Sequence, residues 1–200
     1  MFQLNKLAAR AWAMSARTHL ETHMTATTKQ TTGKAPAKRG ASRTPDAIKL
    51  LMQDHKDVKA LFKEYDKLVK AEAEADQKQP LAEQICMMLT AHTTVEEELF
   101  YPAARDMLKE EADLVDEAEV EHASAKDLIA QILGGSPSDD LYDAKVKVLG
   151  EYIDHHVKEE ETEIFPKVRK TELDLKSLGE SLAQRKEELM GEAQAVPAAH

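Results

Sequence analysis

The chain has 200 residues, of which 4% are aromatic and only 7 are glycine, and this composition disfavours a β-sandwich or β-barrel. Ala, Glu, Lys and Leu dominate, and since these are strong helix formers we expect an all-α protein. The single cysteine, Cys86, excludes a disulfide framework within the chain and favours a reducing compartment. No run of about 18 apolar residues occurs. We therefore expect a cytoplasmic protein with no membrane partner.

The charge is unevenly distributed along the chain. The formal net charge is −10, but residues 1–44 carry eight Lys or Arg side chains against one acid, Glu21, so the remainder carries −17. An acidic body attracts cations and repels phosphate backbones, so we predict no nucleic-acid partner. The basic segment 1–44 is typical of a disordered tail. Its first twenty residues also resemble an organellar targeting helix, which is the alternative to a cytoplasmic location.

Two helices are predicted in the first half of the ordered region. Thr44 is a suitable N-cap and Pro45 suits the first helical position, so helix 1 is expected to begin there and to run to about Ala75. Pro80 is expected to open helix 2, which spans about 80–108.

Three further helices follow. Helix 3 is predicted at about 111–133, ending at a Gly-Gly-Ser-Pro segment, and helix 4 at about 139–168, perturbed near Pro166. A shorter fifth helix is expected at 171–192 within a C-terminal segment, 171–200. Because the four long helices have short connections, we predict an antiparallel up-down-up-down four-helix bundle over 45–170, with a short fifth C-terminal helix.

The sequence contains an internal repeat. "HTTVEEELFYP" (92–102) aligns without gaps with "HVKEEETEIFP" (156–166), and "DHKDVKALF" (54–62) aligns with "EHASAKDLI" (121–129). The matched histidines are 67 residues apart in the second pairing and 64 in the first. Helices 1–2 and 3–4 are therefore interpreted as two copies of one helical hairpin, each carrying a lone His and a His-x-x-x-Glu.

Six polar residues of the repeat fall within the apolar stripes of their helices: His55, His92, Glu96, His122, His156 and Glu160. A buried ionised carboxylate costs several kcal/mol unless it is protonated, paired or bound to metal. One such histidine is usually a hydrogen-bonded core residue, but four, with two glutamates at i+4, indicate a site for iron, manganese or zinc. Six ligands would saturate one octahedral ion, so two ions bridged by the carboxylates are favoured.

The neighbouring polar residues receive other interpretations. Glu97, Glu98, Glu159 and Glu161 are expected to form a solvated face, and His155 to be solvated or adjacent to the ligands. Glu119 lies three residues before His122, which is the Glu-x-x-His spacing found in ferritin-like bundles, and it is an alternative ligand.

The constellation of six residues resembles the hemerythrin-like HHE cation-binding family over about 45–170. The resemblance implies a non-haem di-iron centre, with the four histidines as terminal ligands and Glu96 and Glu160 as bridges. Oxygen-carrying hemerythrins have a second His four residues after the first on helix 3, where this chain has Lys126. The ligand set is therefore more similar to the iron–sulfur repair and iron-sensing branches.

These observations lead to a functional hypothesis. We expect a di-iron protein that binds or reacts with a small ligand, namely oxygen, nitric oxide or peroxide, in a stress response. The alternative is an iron-sensing, iron-storage or iron–sulfur-repair module that acts through a protein partner. Both use the same ligands, so the sequence leaves open whether the protein is an enzyme. A metal-free structural bundle is the third interpretation, and it leaves six core polar groups unexplained.

Overall fold

The computed structural model describes residues 45–195, with side chains described through residue 192. Seven α-helices occur in this range: α1 Ala47–Lys70, α2 Ala75–Val95, α3 Tyr101–Leu108, α4 Asp113–Leu133, α5 Tyr142–Glu159, α6 Phe165–Val168 and α7 Leu175–Ala195. A π-helical segment, Glu96–Phe100, joins α2 to α3, and a second, Glu160–Ile164, joins α5 to α6. A short 3₁₀ turn, Lys109–Glu111, precedes α4. Because no strand occurs between residues 45 and 195, the all-α prediction is confirmed.

The helices form four long antiparallel arms and a fifth, C-terminal helix, as predicted. The arms are α1, α2–α3, α4 and α5–α6; α1 packs against α2 and α5, and α4 packs against the same two helices. The fifth helix, α7, lies against α1 and α2. None of the helices in the described range has the length and apolar character needed to cross a membrane. The predicted disordered tail, with the predicted cap at Thr44, lies outside the described residues.

The first helix begins at Ala47 rather than at Pro45. Asp46 is its N-cap, and the Asp46 side chain accepts a 2.9 Å hydrogen bond from the backbone N–H of Lys49. This bond satisfies one of the donors that a helix start leaves without a partner. The cap therefore falls two residues after the expected Thr44.

The second arm begins at Ala75, so the prediction that Pro80 opens it is wrong. Proline inside a helix removes one hydrogen bond, here the bond to the carbonyl of Asp76. A tertiary contact favours helix on the N-terminal side of the proline, because buried Lys78 forms a 2.8 Å ion pair with Asp143 of α5. Helix 1 correspondingly ends at Lys70, five residues before the predicted boundary.

Both long interrupted arms change to π-helix immediately before a proline. The backbone N–H groups of Tyr101 and Phe165 donate to the carbonyls five residues earlier, on Glu96 and Glu160. The next residue in each arm is a proline, whose ring clashes with the carbonyl four residues earlier in a regular α-helix. A wider turn relieves this clash. The sequence predicted the perturbation near Pro166 but not its counterpart near Pro102.

The interior consists of two apolar clusters separated along the bundle. One cluster contains residues from the start of α1, from α3, α6 and α7, and from the start of α4. It includes Ile48, Phe100 and Leu182. The other is built from the remaining ends of the four arms and includes Leu89 and Ile129. The layer between the clusters contains the six polar residues singled out from the repeat.

Replacing Gly179 with alanine tests how closely α7 docks. A Cβ at Gly179 would lie 2.5 Å from the carbonyl oxygen of Pro45 and 2.7 Å from the backbone nitrogen of Ala47. Because backbone atoms yield little, we expect Gly179→Ala to lower the free energy of unfolding by about 1–3 kcal/mol in urea denaturation. In the control, Gly191→Ala, the added methyl meets nothing within 4 Å. Equal unfolding midpoints would contradict this packing.

Candidate metal centre

All six residues predicted from the repeat lie together in the buried layer. None is more than 6% exposed, and Glu96 and Glu160 have no exposed surface. Each arm contributes at least one of them, because His55 lies on α1, His122 on α4, and the two His-Glu pairs lie at the junctions of α2 and α5 with their π segments.

The four histidines form two pairs, one from each hairpin. The Nε2 atoms of His55 and His92 are 3.2 Å apart, and those of His122 and His156 are 3.1 Å apart. Two nitrogen ligands that each lie about 2.0–2.1 Å from one ion are about 2.9–3.4 Å apart at octahedral to tetrahedral angles. Each pair thus has the separation expected of two ligands to one ion.

Each buried carboxylate reaches both histidine pairs. Glu96 Oε2 lies 3.1 Å from His92 Nε2 in its own hairpin and 3.5 Å from His122 Nε2 in the other. Glu160 Oε2 lies 3.4 Å from His156 Nε2 and 3.2 Å from His55 Nε2, which is the same relation with the hairpins exchanged. Both carboxylates therefore lie between the two histidine pairs.

The outer nitrogen of every histidine ring contacts a further carboxylate. The Nδ1–oxygen distances are 2.9, 3.4, 3.0 and 2.8 Å for His55–Glu161, His92–Asp54, His122–Glu97 and His156–Glu121, respectively. A carboxylate at Nδ1 fixes the proton there and leaves Nε2 as the ligating atom. The four contacts obey the repeat, since one acid of each hairpin directly precedes the lone His and another directly follows the buried Glu.

The donor set fits a cation. With protons held at Nδ1, the paired Nε2 lone pairs face each other at 3.1–3.2 Å and repel. Both oxygens of Glu96 and Oε2 of Glu160 are buried and have no hydrogen-bond donor within residues 45–195. Native proteins rarely leave several buried polar atoms unsatisfied at one place. Metal ions between these atoms would satisfy all of them at once.

The pKa shifts of His92, His122 and Glu96 also show that these groups lack a counter-charge that offsets their burial. Burial lowers the pKa of His92 to about 4 and also lowers the pKa of His122. Burial acts in the same direction on His156, but the charges and hydrogen bonds of Glu160 and Glu121 outweigh it and raise the pKa to about 9. Burial and the nearby charge of Glu160 raise the pKa of Glu96 well above its usual range. A cation removes the conflict by favouring both ionised carboxylates.

A family model described as the hemerythrin HHE cation-binding domain matches residues 46–168. The chain belongs to the hemerythrin HHE cation-binding domain family. The resemblance drawn from the repeat is thereby confirmed, and the His/Glu cluster identifies the chain as a metal-binding HHE domain.

Two other proteins are similar to this HHE domain. The solved structure of a hemerythrin HHE cation-binding domain-containing protein from Mycobacterium kansasii superimposes with a TM-score of 0.61 at 25% identity, covering 75% of this chain and 90% of that chain. A curated protein described as a DNA nickase, from a Nostoc species, is 31% identical over 125 residues, or 60% of this chain. This chain spans about a third of the length of that protein, 32%.

One residue of the HHE centre was missed in the sequence. Tyr101 is fully buried, and its hydroxyl donates a 2.9 Å hydrogen bond to Glu160 Oε1. The hydroxyl oxygen of Tyr101 also lies 3.2 Å from His122 Nε2. Its counterpart in the repeat is Phe165, whose ring stacks on His55 with centroids 5.7 Å apart. The sequence signal for Tyr101 was that the repeat ends in Tyr-Pro in the first hairpin and in Phe-Pro in the second. The difference makes the two halves chemically unequal.

The expectation that Glu97 and Glu161 belong to a solvated face is wrong. Their side chains are only 31% and 32% exposed, because each accepts a hydrogen bond from a histidine of the opposite hairpin. Glu98, by contrast, faces outward and pairs with Arg185 of α7 at 2.7 Å. Asp54 and Glu121 were noted in the sequence only as the acids directly before the repeated histidines, and no role was assigned to them.

The other neighbours lie outside the cluster. Glu119 contacts Arg105 at 3.2 Å and is not among the grouped ligand atoms. His155 is 63% exposed and lies 3.2 Å from Glu159, which agrees with a solvated position. Lys126 donates a 2.7 Å hydrogen bond to Glu97, so the lysine at the position of the oxygen carriers' extra histidine holds an outer carboxylate.

Removing an outer carboxylate tests its contribution to the site. In Glu161→Ala, His55 Nδ1 loses its acceptor, and we expect Fe²⁺ to bind about 10–100-fold more weakly in chelator-competition titrations. Glu98→Ala is the matched control, since that carboxylate contacts Arg185 and no histidine. If both variants bound Fe²⁺ as tightly as the unmodified chain, the outer carboxylates would not support the centre.

Proposed function

We propose that this HHE domain holds two non-haem iron ions and uses them to bind or react with oxygen, nitric oxide or peroxide. One observation carries the proposal: each buried carboxylate lies within 3.5 Å of one histidine from both pairs. Two ions, each with two imidazoles and shared carboxylates, account for this arrangement better than one ion. Mixed imidazole and carboxylate donors suit iron, and manganese and zinc are the alternatives that the donor set also permits.

Bound iron would supply electron transfer to a small ligand, and the chain supplies positioning, proton control and exclusion of water. The four outer carboxylates orient the imidazoles and keep their protons at Nδ1. Tyr101 holds a proton on its hydroxyl beside Glu160 and His122, because burial raises the pKa of the phenol well above its usual range. Phe165 and Phe100 keep the opposite side apolar.

A cavity of about 300 Å³ between α4 and α5 supports a small, uncharged ligand. His122 and His156 form its inner wall, and the remaining lining consists of Glu121, Ser124, Ala125, Tyr152, Ile153 and His155. Mostly apolar walls with a few convergent polar groups are typical of small-molecule sites. We therefore propose that ligands approach the centre from the side of the second hairpin.

The DNA nickase activity named for the Nostoc relative is not part of this proposal. Outside residues 1–44 the chain carries a net charge of −17. That balance opposes contact with a phosphate backbone. It is compatible with the uptake of metal cations.

Metal analysis tests the iron assignment directly. We expect about two irons per purified chain, a rise in melting temperature on adding Fe²⁺ to the metal-free chain, and azide- or nitric oxide-dependent changes in the absorption spectrum. Glu160→Ala should lose most of the iron because its carboxylate contacts both histidine pairs, whereas Glu98→Ala should retain it. A chain that binds no iron and melts at the same temperature with and without Fe²⁺ would rule the proposal out.

Filling the apolar cavity tests the route of the small ligand. Ala125 is buried in the cavity wall, so Ala125→Leu should slow nitric oxide binding at least about tenfold while iron content is unchanged. Ala130→Leu, on the exposed side of the same helix, is the control. Unchanged binding rates in a folded, iron-loaded Ala125→Leu variant would show that ligands reach the centre elsewhere.

A further inference from the structure

The two hairpins differ in what covers the groove beside the centre. In the first hairpin α7 packs against α1, α2 and the π segment Glu96–Phe100. Leu50 and Leu99 belong there to the same apolar cluster as Leu182 of α7. Lys186 of α7 also forms an ion pair with Asp54, the carboxylate that contacts His92. The C-terminal helix therefore covers this side of the centre.

The equivalent groove of the second hairpin is acidic and open. The repeat places Glu117 at the counterpart of Leu50, 67 residues later, and Glu163 at the counterpart of Leu99, 64 residues later. Both glutamates are exposed, and none of the described helices packs over them. A cavity of about 60 Å³ lies at this position. Its acidic lining, here called the acidic passage, consists of Glu117, Glu121, Glu159 and Glu163.

The inner end of the acidic passage is formed by residues of the metal centre. Glu160 and His156 line the same cavity. Glu160 has no exposed surface, and its Oε2 atom has no hydrogen-bond donor within residues 45–195. A buried carboxylate oxygen without a donor at the end of an acidic opening is suited to a cation and not to a neutral ligand.

Two of the four acids of the passage have no partner of opposite charge: within residues 45–195 neither Glu117 nor Glu163 forms an ion pair, whereas Glu121 contacts His156. Arg105 pairs instead with Asp116 and Glu119, and Lys167 with Glu111. His155 lies at the rim beside Glu159 and Glu121. Convergent uncompensated charges at a concave site raise the local concentration of cations and their association rate.

We propose that the acidic passage is the route by which ferrous iron reaches the centre, with Glu117 and Glu163 attracting the hydrated ion and Glu160 receiving it. This proposal rests on the proposed iron function, and it adds that iron and the small ligand reach the centre by different routes. Cations enter through the acidic passage, whereas small neutral ligands use the neighbouring apolar cavity lined by Ala125 and Ile153. Glu121 and His156 line both cavities. Because α7 covers the first hairpin, both routes lie on the second.

The test is the rate at which the metal-free full chain takes up Fe²⁺ under anaerobic conditions. Samples are quenched at intervals with a chromogenic chelator that captures unbound Fe²⁺. Glu117→Gln/Glu163→Gln removes two charges without touching a histidine or its outer carboxylate. The control, Glu64→Gln/Glu83→Gln, removes the same charge from exposed positions nine residues from His55 and His92, respectively, towards the other end of the bundle.

We expect the passage variant to load about three- to tenfold more slowly at low ionic strength, with the difference shrinking at high salt because exposed charges are screened. Its final iron content, melting temperature and nitric oxide-binding rate after loading should equal those of the unmodified chain. The control variant should load at the unmodified rate. Equal loading rates in the two variants would overturn the acidic passage and leave the iron centre intact. Failure of the unmodified chain to bind Fe²⁺ at all would overturn the proposed function itself, and this route with it.

Discussion

The burial of two carboxylates against four imidazoles is the constraint on which this structure depends. Glu96 and Glu160 are withdrawn from water in the middle of the bundle, and three of their four oxygens have no hydrogen-bond donor within the described residues. Apolar packing above and below the polar layer holds the arms together, so the layer is retained at a cost that metal binding would offset. Metal binding would therefore be coupled to the fold, since the six inward residues come from all four arms.

The local structure of the arms serves this layer. Each buried glutamate begins a π-helical segment, and each segment ends two residues before a proline. The wider turn and the proline recur at the same place in both hairpins, and they direct Phe100, Tyr101, Ile164 and Phe165 into the core next to the ligands. Outer carboxylates from neighbouring arms then fix the imidazole rings. The lone histidine of each hairpin contacts a carboxylate of the other hairpin, and the second histidine contacts a carboxylate of its own hairpin.

The pseudo-two-fold symmetry is broken in three places, and each break separates the roles of the two halves. Tyr101 replaces a phenylalanine beside the second histidine pair, α7 covers only the first hairpin, and the leucines beneath α7 are replaced by glutamates in the second hairpin. None of these differences alters the six inward residues. The duplicated scaffold thus keeps the same inward residues in both halves, with α7 over one side and none of the described helices over the other.

The sequence by itself determined the helical class, the hairpin repeat and the six inward polar residues, because a 3.6-residue period and a gapless internal alignment fix which positions share a face. It did not determine that Glu97 and Glu161 contact histidines, since both lie at the edge of an acidic helix face and only the approach of another hairpin decides their partners. The start of α2 before Pro80 likewise depends on the pairing of Lys78 with Asp143. Tertiary packing also decided which hairpin α7 covers, because that choice rests on the close contact of Gly179 with the start of α1 and on contacts between residues more than a hundred positions apart.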